Sequence, residues 1–195
     1  MSGSTSSTSA RLGVRKGPFA RFFWAALIGS TGDWITIFAT LAIAENRGGE
    51  AGIVAAIVAR VLPGLLFGPI IGALTDRVDR RKLIVIADWG RGLFVPLLAF
   101  SPNLAAIVGI TFVMEILSLA GQSPRAAVLP RLVKPSNLVA ANSLMMGAAY
   151  GTIPLGAAFN WVLSGFPPLS LGGLIPELNQ VVALAFLVDA VTFFV

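Results

Sequence analysis

Long apolar runs, separated by short polar segments, are the feature that most constrains how this chain can fold. A run of roughly 20 apolar residues is enough for an α-helix to cross the hydrocarbon core of a bilayer. Charged residues make up only 12% of the chain, whereas an ordinary soluble domain has about 25%. The pattern predicts an all-α integral membrane protein, embedded in the lipid bilayer, with six transmembrane helices. Their approximate limits are 21–44, 51–74, 83–101, 104–122, 138–165 and 178–195. The fifth is long, and it either starts at the membrane interface or is kinked near Pro154.

The basic residues outside these runs predict the orientation of the chain. Residues 1–17 begin with a Ser/Thr-rich stretch and are expected to form a disordered tail, followed by one bundle over residues 18–195. Eleven basic residues lie near the tail and in two alternate loops: Arg11, Arg15, Lys16, Arg21, Arg77, Arg80, Arg81, Lys82, Arg125, Arg131 and Lys134. The intervening loops contain a single basic residue, Arg47. Because cytoplasmic loops are enriched in Lys and Arg, we expect the N-terminus in the cytoplasm.

The chain contains no cysteine and no histidine, which argues against several classes of function. Disulfides, thiol chemistry and most transition-metal sites are not expected, and neither is a cofactor. No constellation of nucleophile, acid and base indicates an enzyme. The net charge of +5 comes from segments beside the spans, so we attribute it to lipid headgroups and topology rather than to nucleic-acid binding.

Four ionisable residues fall near the middle of predicted spans: Asp33, Arg60, Glu115 and Asp189. Each lies roughly 14–17 Å from an end of its span, at a rise of about 1.5 Å per residue. A charge at this depth costs about 2.5–3.5 kcal/mol on insertion scales, so such side chains face a bundle interior or a water-filled cavity. We therefore expect these four residues to mark the functional interior of the protein.

Polar stripes with the same spacing occur in spans one and four. Steps of three and four residues keep side chains on one helical face. They connect Gly29, Asp33, Thr36 and Thr40 in span one, and Thr111, Glu115, Ser118 and Gln122 in span four. The stripes predict that these two spans line a shared polar space. The alternative is that the polar groups only join neighbouring helices through hydrogen bonds.

Arg60 needs a carboxylate partner inside the membrane. Asp33 is the first choice and Glu115 the alternative, and the pair would serve either structure or coupling. Because three acids and one arginine lie at this depth, at least one carboxylate has no guanidinium partner. A carboxylate that is removed from water can hold or release a proton near neutral pH. Asp33, Glu115 and Arg60 are therefore candidates for proton coupling.

Three charged residues are expected to be structural: Asp189 from the set of four above, and two others in span three. Asp88 and Arg91 lie at i and i+3 in span three, near the cytoplasmic interface, and are predicted to pair with each other. Asp189 in span six is predicted to make a structural hydrogen bond or to pack against the other spans.

A dense charge cluster, GALTDRVDRR at residues 72–81, separates spans two and three. It resembles the signature loop of the major facilitator superfamily, Gly-x-x-x-Asp-Arg/Lys-x-Gly-Arg/Lys-Arg/Lys, which lies between the second and third helices of those transporters. The matching positions are Gly72, Asp76, Arg77, Arg80 and Arg81. Asp79 replaces the second glycine of the signature, so a tight turn is not expected there.

Other stretches resemble the exporters of enterobactin and macrolides within that superfamily. They are GDW at 32–34, LPGLLFGPIIGALTDRVDRR at 62–81, SPRAAVLPRLV at 123–133, ANSL at 141–144 and LVDAVTFF at 187–194. The resemblance implies the N-terminal six-helix half of a twelve-helix fold, and we expect a truncated chain because it stops inside an apolar run. It also implies proton-driven efflux of small amphipathic compounds, such as drugs or siderophores, across the cell inner membrane by alternating access.

The resemblance further implies roles for individual residues. Asp76 would contact the missing second half and hold the outward-facing state, so the matching motif residues would form a conformational latch. Substrate-path candidates on spans one and four are Trp34, Thr36, Phe38, Thr111, Phe112 and Ser118, although the aromatic side chains would equally suit lipid contact. Two alternatives stay open: a half-transporter that is completed by a second copy, and a membrane scaffold or sensor that does not transport.

Overall fold

A computed structural model describes residues 16–75, 77–164, 185–187 and 189 of the chain. At residues 75, 80, 81, 123, 124, 163 and 164 it describes the backbone only. The described part is helical almost throughout. Its elements are α1 (Pro18–Thr75), α2 (Arg80–Ala99), α3 (Leu104–Leu132), a 3₁₀ turn (Pro135–Asn137), α4 (Leu138–Tyr150) and α5 (Ile153–Ser164). Residues 185–187 and 189 are also helical.

Helix α1 is a hairpin of two limbs, residues 18–48 and residues 50–75, that meet at Gly49. Gly49 has φ 59° and ψ −146°, a conformation that side chains with a Cβ rarely adopt. A Cβ placed on Gly52 would lie 2.1 Å from the carbonyl oxygen of Ala44. Residues eight apart in a straight helix are separated by about 12 Å, so the chain turns back on itself here. The two limbs correspond to the first two predicted spans.

Three stretches are long and apolar enough to cross a membrane: Pro18–Leu74, Leu104–Leu132 and Pro135–Val162. The first has 57 residues, or about 86 Å of helix, which suffices for two crossings of a core about 30 Å thick. Helix α2 has 20 residues and is not among the three, because several charges interrupt its apolar sequence. The all-helical membrane architecture is thus confirmed. The count of six spans stays a prediction, and most of the sixth lies outside the described residues.

Two helices differ from their predicted limits. Helix α3 continues to Leu132, well past the predicted end of span four at residue 122. The stretch after residue 122 was wrongly assigned to a loop, because Arg125 and Arg131 interrupt the apolar run without ending the helix. The fifth predicted span is divided between α4 and α5, which are separated by Gly151 and Thr152. The predicted break near Pro154 is therefore confirmed.

The first limb of α1 lies at the centre of the packing. One buried cluster joins it to the second limb, to α2 and α3 and to the segment around residue 186, and includes Ile35, Ala56, Val95, Ile107 and Phe186. A second cluster joins its beginning to the end of α3 and to α4. The second limb, by contrast, exposes large apolar side chains along much of its length, which fits contact with lipid.

Candidate functional site

Five ionisable side chains from different helices approach one another in the interior of the bundle. We call Asp33, Arg60, Arg91, Glu115 and Asp189 the charge cluster. Asp33 and Arg60 lie on the two limbs of α1, Arg91 on α2 and Glu115 on α3. Electrostatic interactions connect Arg91 with Asp33, Asp189, Glu115 and Arg60. The cluster contains three carboxylates and two guanidinium groups, so its formal charge is −1 when every member is ionised.

Two ion pairs and one hydrogen bond hold this cluster together. The guanidinium of Arg91 donates a hydrogen bond to the carboxylate of Asp33. Arg60 Nη2 lies 3.6 Å from Glu115 Oε2, which is an ion pair longer than a hydrogen bond. Thr36 Oγ1 donates a hydrogen bond of 2.5 Å to Asp189 Oδ2. The charges of the cluster are therefore compensated between helices rather than within them.

The pairing differs from the first choice made from sequence. Asp33 pairs with Arg91, and Arg60 pairs with Glu115, so the expected Asp33–Arg60 pair is wrong and the alternative is correct. Similar depth in two spans does not determine which faces of the helices meet. Arg60 still interacts electrostatically with Asp33, although more weakly than with Glu115.

The predicted local pair between Asp88 and Arg91 is also wrong. Asp88 accepts hydrogen bonds from Arg125 on α3, and Arg91 reaches Asp33 on α1. Two residues three positions apart on a helix are neighbours and can form an ion pair. Where other helices pack closely, however, charged residues on those helices can be the preferred partners. Arg125 is available for this contact because α3 continues beyond its apolar part.

Arg91 is the functional candidate that sequence reasoning missed. Its side chain is only 8% exposed, although its position in span three suggested an interface. The sequence did contain a pattern that indicates this burial. Ala87, Arg91, Val95 and Leu98 are spaced by four, four and three residues, which places them on one helical face, and all four are buried. An apolar stripe that continues through an arginine indicates that the arginine faces the core.

The substrate-path candidates lie in two groups. On the first limb of α1, Trp34 donates from Nε1 to the carbonyl of Ala149 at 2.7 Å, and its ring centroid lies 6.3 Å from that of Phe38. Thr36 is buried and bound to Asp189. Trp34 and Phe38 are half-buried, so neither is simply a lipid-facing side chain.

The second group lies on α3. The ring of Phe112 packs edge-on against Phe67 of the second limb, with the centroids 6.2 Å apart. Ser118 accepts a hydrogen bond from Gln122 of the same helix. Thr111 is buried, and its hydroxyl has no hydrogen-bond partner among the described residues. Thr111 and Glu115 are one turn apart, so a buried hydroxyl and a carboxylate share this face of α3.

The motif between α1 and α2 is described only in part. Gly72 lies on the second limb of α1, and Arg77 is an exposed residue of the turn that follows. Asp76 lies outside the described residues, and Arg80 and Arg81 are the first residues of α2. The side chain of Asp79 accepts a hydrogen bond from the backbone N–H of Lys82, which caps the start of α2. The aspartate that replaces the motif's second glycine therefore serves as a helix cap.

Apolar helices with paired charges buried between them define an integral membrane protein with a polar interior site. The sequence profile described as Major Facilitator Superfamily matches residues 22–195, nearly the whole chain. The chain therefore belongs to the Major Facilitator Superfamily, a superfamily of membrane transporters.

A relative supports the same assignment over a shorter stretch. The chain is 33% identical over 70 residues to YfiS of Bacillus subtilis (strain 168), which is described as an uncharacterized MFS-type transporter. The aligned stretch is 35% of this chain and spans only 17% of the relative. No solved structure matches the chain.

Proposed function

We propose that the chain is the N-terminal six-helix half of a secondary active exporter of the cell inner membrane. It moves a small amphipathic compound out of the cell in exchange for protons, by alternating access. A second half, or a second copy of the chain, completes the path. The observation that carries the proposal is the charge cluster, which holds three carboxylates and two guanidinium groups inside a membrane-embedded bundle.

The excess carboxylate supports proton coupling. A net charge inside a bundle surrounded by lipid is costly, and binding of one proton brings the cluster to neutrality. The ion pairs join α1 to α2 and α3 within this half. Binding of one proton to an acid of the cluster would therefore change how tightly the helices of this half are held together while it rocks against the other half.

The surroundings of the cluster support a small amphipathic substrate. The aromatic side chains of Trp34, Phe38 and Phe112 and the hydroxyl of Thr111 lie on the same two helices as Asp33 and Glu115. Rings offer apolar contact, and the buried hydroxyl of Thr111, which has no partner within the described part of the chain, offers a hydrogen bond. This mixture suits compounds with both apolar and polar parts better than ions or sugars.

The conformational latch lies on the cytoplasmic side and consists of Gly72, Asp76, Arg77, Arg80 and Arg81. Burial of Asp76 against a second half would hold one of the two transporter states. The exposed turn at residues 77–79 follows the second limb directly, so it is accessible to such a partner.

The test is dye transport in everted membrane vesicles that contain the protein. An imposed pH gradient is expected to drive uptake of Nile red or ethidium, and a protonophore is expected to abolish it. The double variant Asp33→Asn/Glu115→Gln is expected to lose gradient-driven transport. The matched control is Glu45→Gln, an exposed acid at the end of the first limb, which is expected to behave as wild type. Gradient-driven transport at the wild-type rate in the double variant would refute proton coupling through these acids.

A further inference from the structure

A single residue of α1 holds both sides of the break between α4 and α5. We infer that Trp34 is a clamp that fixes the angle between these two helices. Its indole N–H binds the last turn of α4, and its backbone packs against the first turn of α5. The clamp is a property of the shape of the fifth predicted span, so it does not rest on the proposed function.

The break removes hydrogen bonds from the helical backbone. In an uninterrupted helix, the amide of Thr152 would bond the carbonyl of Ala148. That bond is absent between these two residues. Pro154 has no N–H, so the carbonyl of Tyr150 also lacks its usual helical donor. The break lies well inside Pro135–Val162, a stretch that is long and apolar enough to cross a membrane, where water does not readily replace such bonds.

Two side chains supply donors at the break. Thr152 Oγ1 donates to the carbonyl of Ala148 at 3.1 Å, so the hydroxyl replaces the missing backbone bond. Trp34 Nε1 donates to the next carbonyl, that of Ala149, at 2.7 Å. A break inside a membrane is tolerated where side chains of the same or a neighbouring helix satisfy the freed backbone groups. The indole is the donor that belongs to another helix, so it also fixes the end of α4 relative to α1.

The backbone beside the indole holds α5 on the other side of the break. A Cβ on Gly156 would lie 2.6 Å from the Cβ of Trp34 and 3.1 Å from the backbone nitrogen of Ile35. Asn160, one turn further along α5, donates to the carbonyl of Ile35 at 3.0 Å. The same segment of α1 therefore binds α4 through a side chain and α5 through close backbone contact, and together these contacts set the angle between α4 and α5.

The clamp uses a part of Trp34 that apolar contact with a substrate does not need. An aromatic ring offers apolar contact through its faces, whereas the indole N–H is a hydrogen-bond donor only. Trp34→Phe keeps a ring and removes the donor, so it separates the two roles. Trp24→Phe is the matched control, because Trp24 lies on the same limb of α1 and its side chain is exposed.

The first test observes the carbonyl of Ala149 alone. Tyr150 is the single tyrosine of the chain, so ¹³C in alanine carbonyls and ¹⁵N in tyrosine label one peptide bond, that between Ala149 and Tyr150. Solid-state NMR of the protein in lipid bilayers then gives one carbonyl–nitrogen correlation. A hydrogen bond moves a carbonyl carbon to higher frequency, so Trp34→Phe is expected to move this signal to lower frequency and Trp24→Phe to leave it in place. An unmoved signal in Trp34→Phe overturns the inference.

The second test measures the angle between the helices. The chain has no cysteine, so spin labels can be placed by Phe100→Cys and Val162→Cys, at exposed positions near the ends of α2 and α5. Pulsed electron paramagnetic resonance gives the distribution of the distance between them. Trp34→Phe is expected to shift and broaden this distribution, because α5 is then no longer held at one angle to α4, and Trp24→Phe is expected to preserve it. An unchanged distribution in Trp34→Phe overturns the inference even if the carbonyl signal has moved.

A measurement on the wild-type chain covers the case in which Trp34→Phe does not insert. With ¹⁵N added to the four tryptophan indoles, one of them is expected to show direct transfer of magnetisation to the Ala149 carbonyl carbon, because the donor and acceptor atoms are 2.7 Å apart. The same signal is expected to persist in Trp24→Phe. If no indole shows this transfer, the clamp does not exist.

Discussion

Arg91 is the residue on which the interior of this protein most depends. A guanidinium that is 8% exposed inside an apolar bundle is tolerated because Asp33 is bound to it directly and Asp189 lies nearby. If one partner of such a pair is removed, the other is left as a buried charge, which costs far more than the pair itself contributes.

We therefore predict that Arg91→Met destabilises the protein by about 3 kcal/mol, at the low end of the range for a broken buried pair because Asp33 is partly exposed. Thermal unfolding in detergent measures this. Arg131→Met, which removes an exposed arginine near the end of α3, is the control and should change little. Adding Asp33→Asn to Arg91→Met should recover part of the loss. Additive losses in the double variant would show that the two residues are not coupled.

Sequence reasoning found four of the five members of the charge cluster, but of their ion pairs it named only Arg60–Glu115, as the alternative to Asp33–Arg60. The position of a charge in the middle of an apolar run can be read directly from the sequence. This criterion identified Asp33, Arg60, Glu115 and Asp189. Partner choice depends on helix rotation and on the packing of helices that are distant along the chain. The buried stripe through Ala87, Arg91 and Val95 indicated that Arg91 faces the core. Asp88, one helical turn away, offered a simpler local partner and led to the wrong pair.

At the scale of the elements, the contact between α5 and the first limb of α1 positions the site. A Cβ on Gly156 would lie 2.6 Å from the Cβ of Trp34 and 2.9 Å from its carbonyl carbon. Asn160 and Trp34 add hydrogen bonds across the same region. Trp34 adjoins Asp33, so a displacement of α5 acts directly on the segment that carries the ion pair of Asp33 with Arg91.

We predict that Gly156→Ala costs about 1–3 kcal/mol, the usual range for overpacking, because backbone atoms of α1 cannot move aside as a flexible side chain can. Thermal unfolding in detergent, together with the dye-transport rate, checks this. Gly147→Ala on α4 is the matched control, since a Cβ there meets nothing within 4 Å, and it should be neutral or slightly stabilising. Equal stabilities for the two variants would contradict the close approach of α5.

The elements themselves were predictable where hydropathy and helix conformation coincide. The two limbs of α1 and the break near Pro154 were foreseen from apolar length and from proline. The extension of α3 to Leu132 was not, because two prolines and two arginines interrupt its final turns, which nevertheless remain helical. That extension provides Arg125 as a partner for Asp88. Because span four was predicted to end at residue 122, Arg125 was placed in a loop and Asp88 was assigned the wrong partner.

At the scale of the whole molecule, the distribution of basic residues predicts orientation, and the absence of cysteine makes this easy to test. Asn46→Cys near the hairpin tip and Val78→Cys in the turn before α2 are both exposed positions. In intact cells, a membrane-impermeant maleimide should label Asn46→Cys and should reach Val78→Cys only after the membrane is opened. The reverse pattern would invert the topology and place the latch residues outside the cell.

The hairpin at Gly49 has a consequence for how the protein is made. Arg91 follows Asp33 by 58 residues, and Glu115 belongs to a still later helix than Arg60. When the first two limbs leave the ribosome, each carries one charge near its middle, Asp33 in the first and Arg60 in the second, whose final partner has not yet been synthesised. The hairpin is neutral as a unit, so the insertion machinery can release the limbs together into the bilayer more easily than one at a time. Asp33 and Arg60 can meet their final partners only once α2 and α3 have been made.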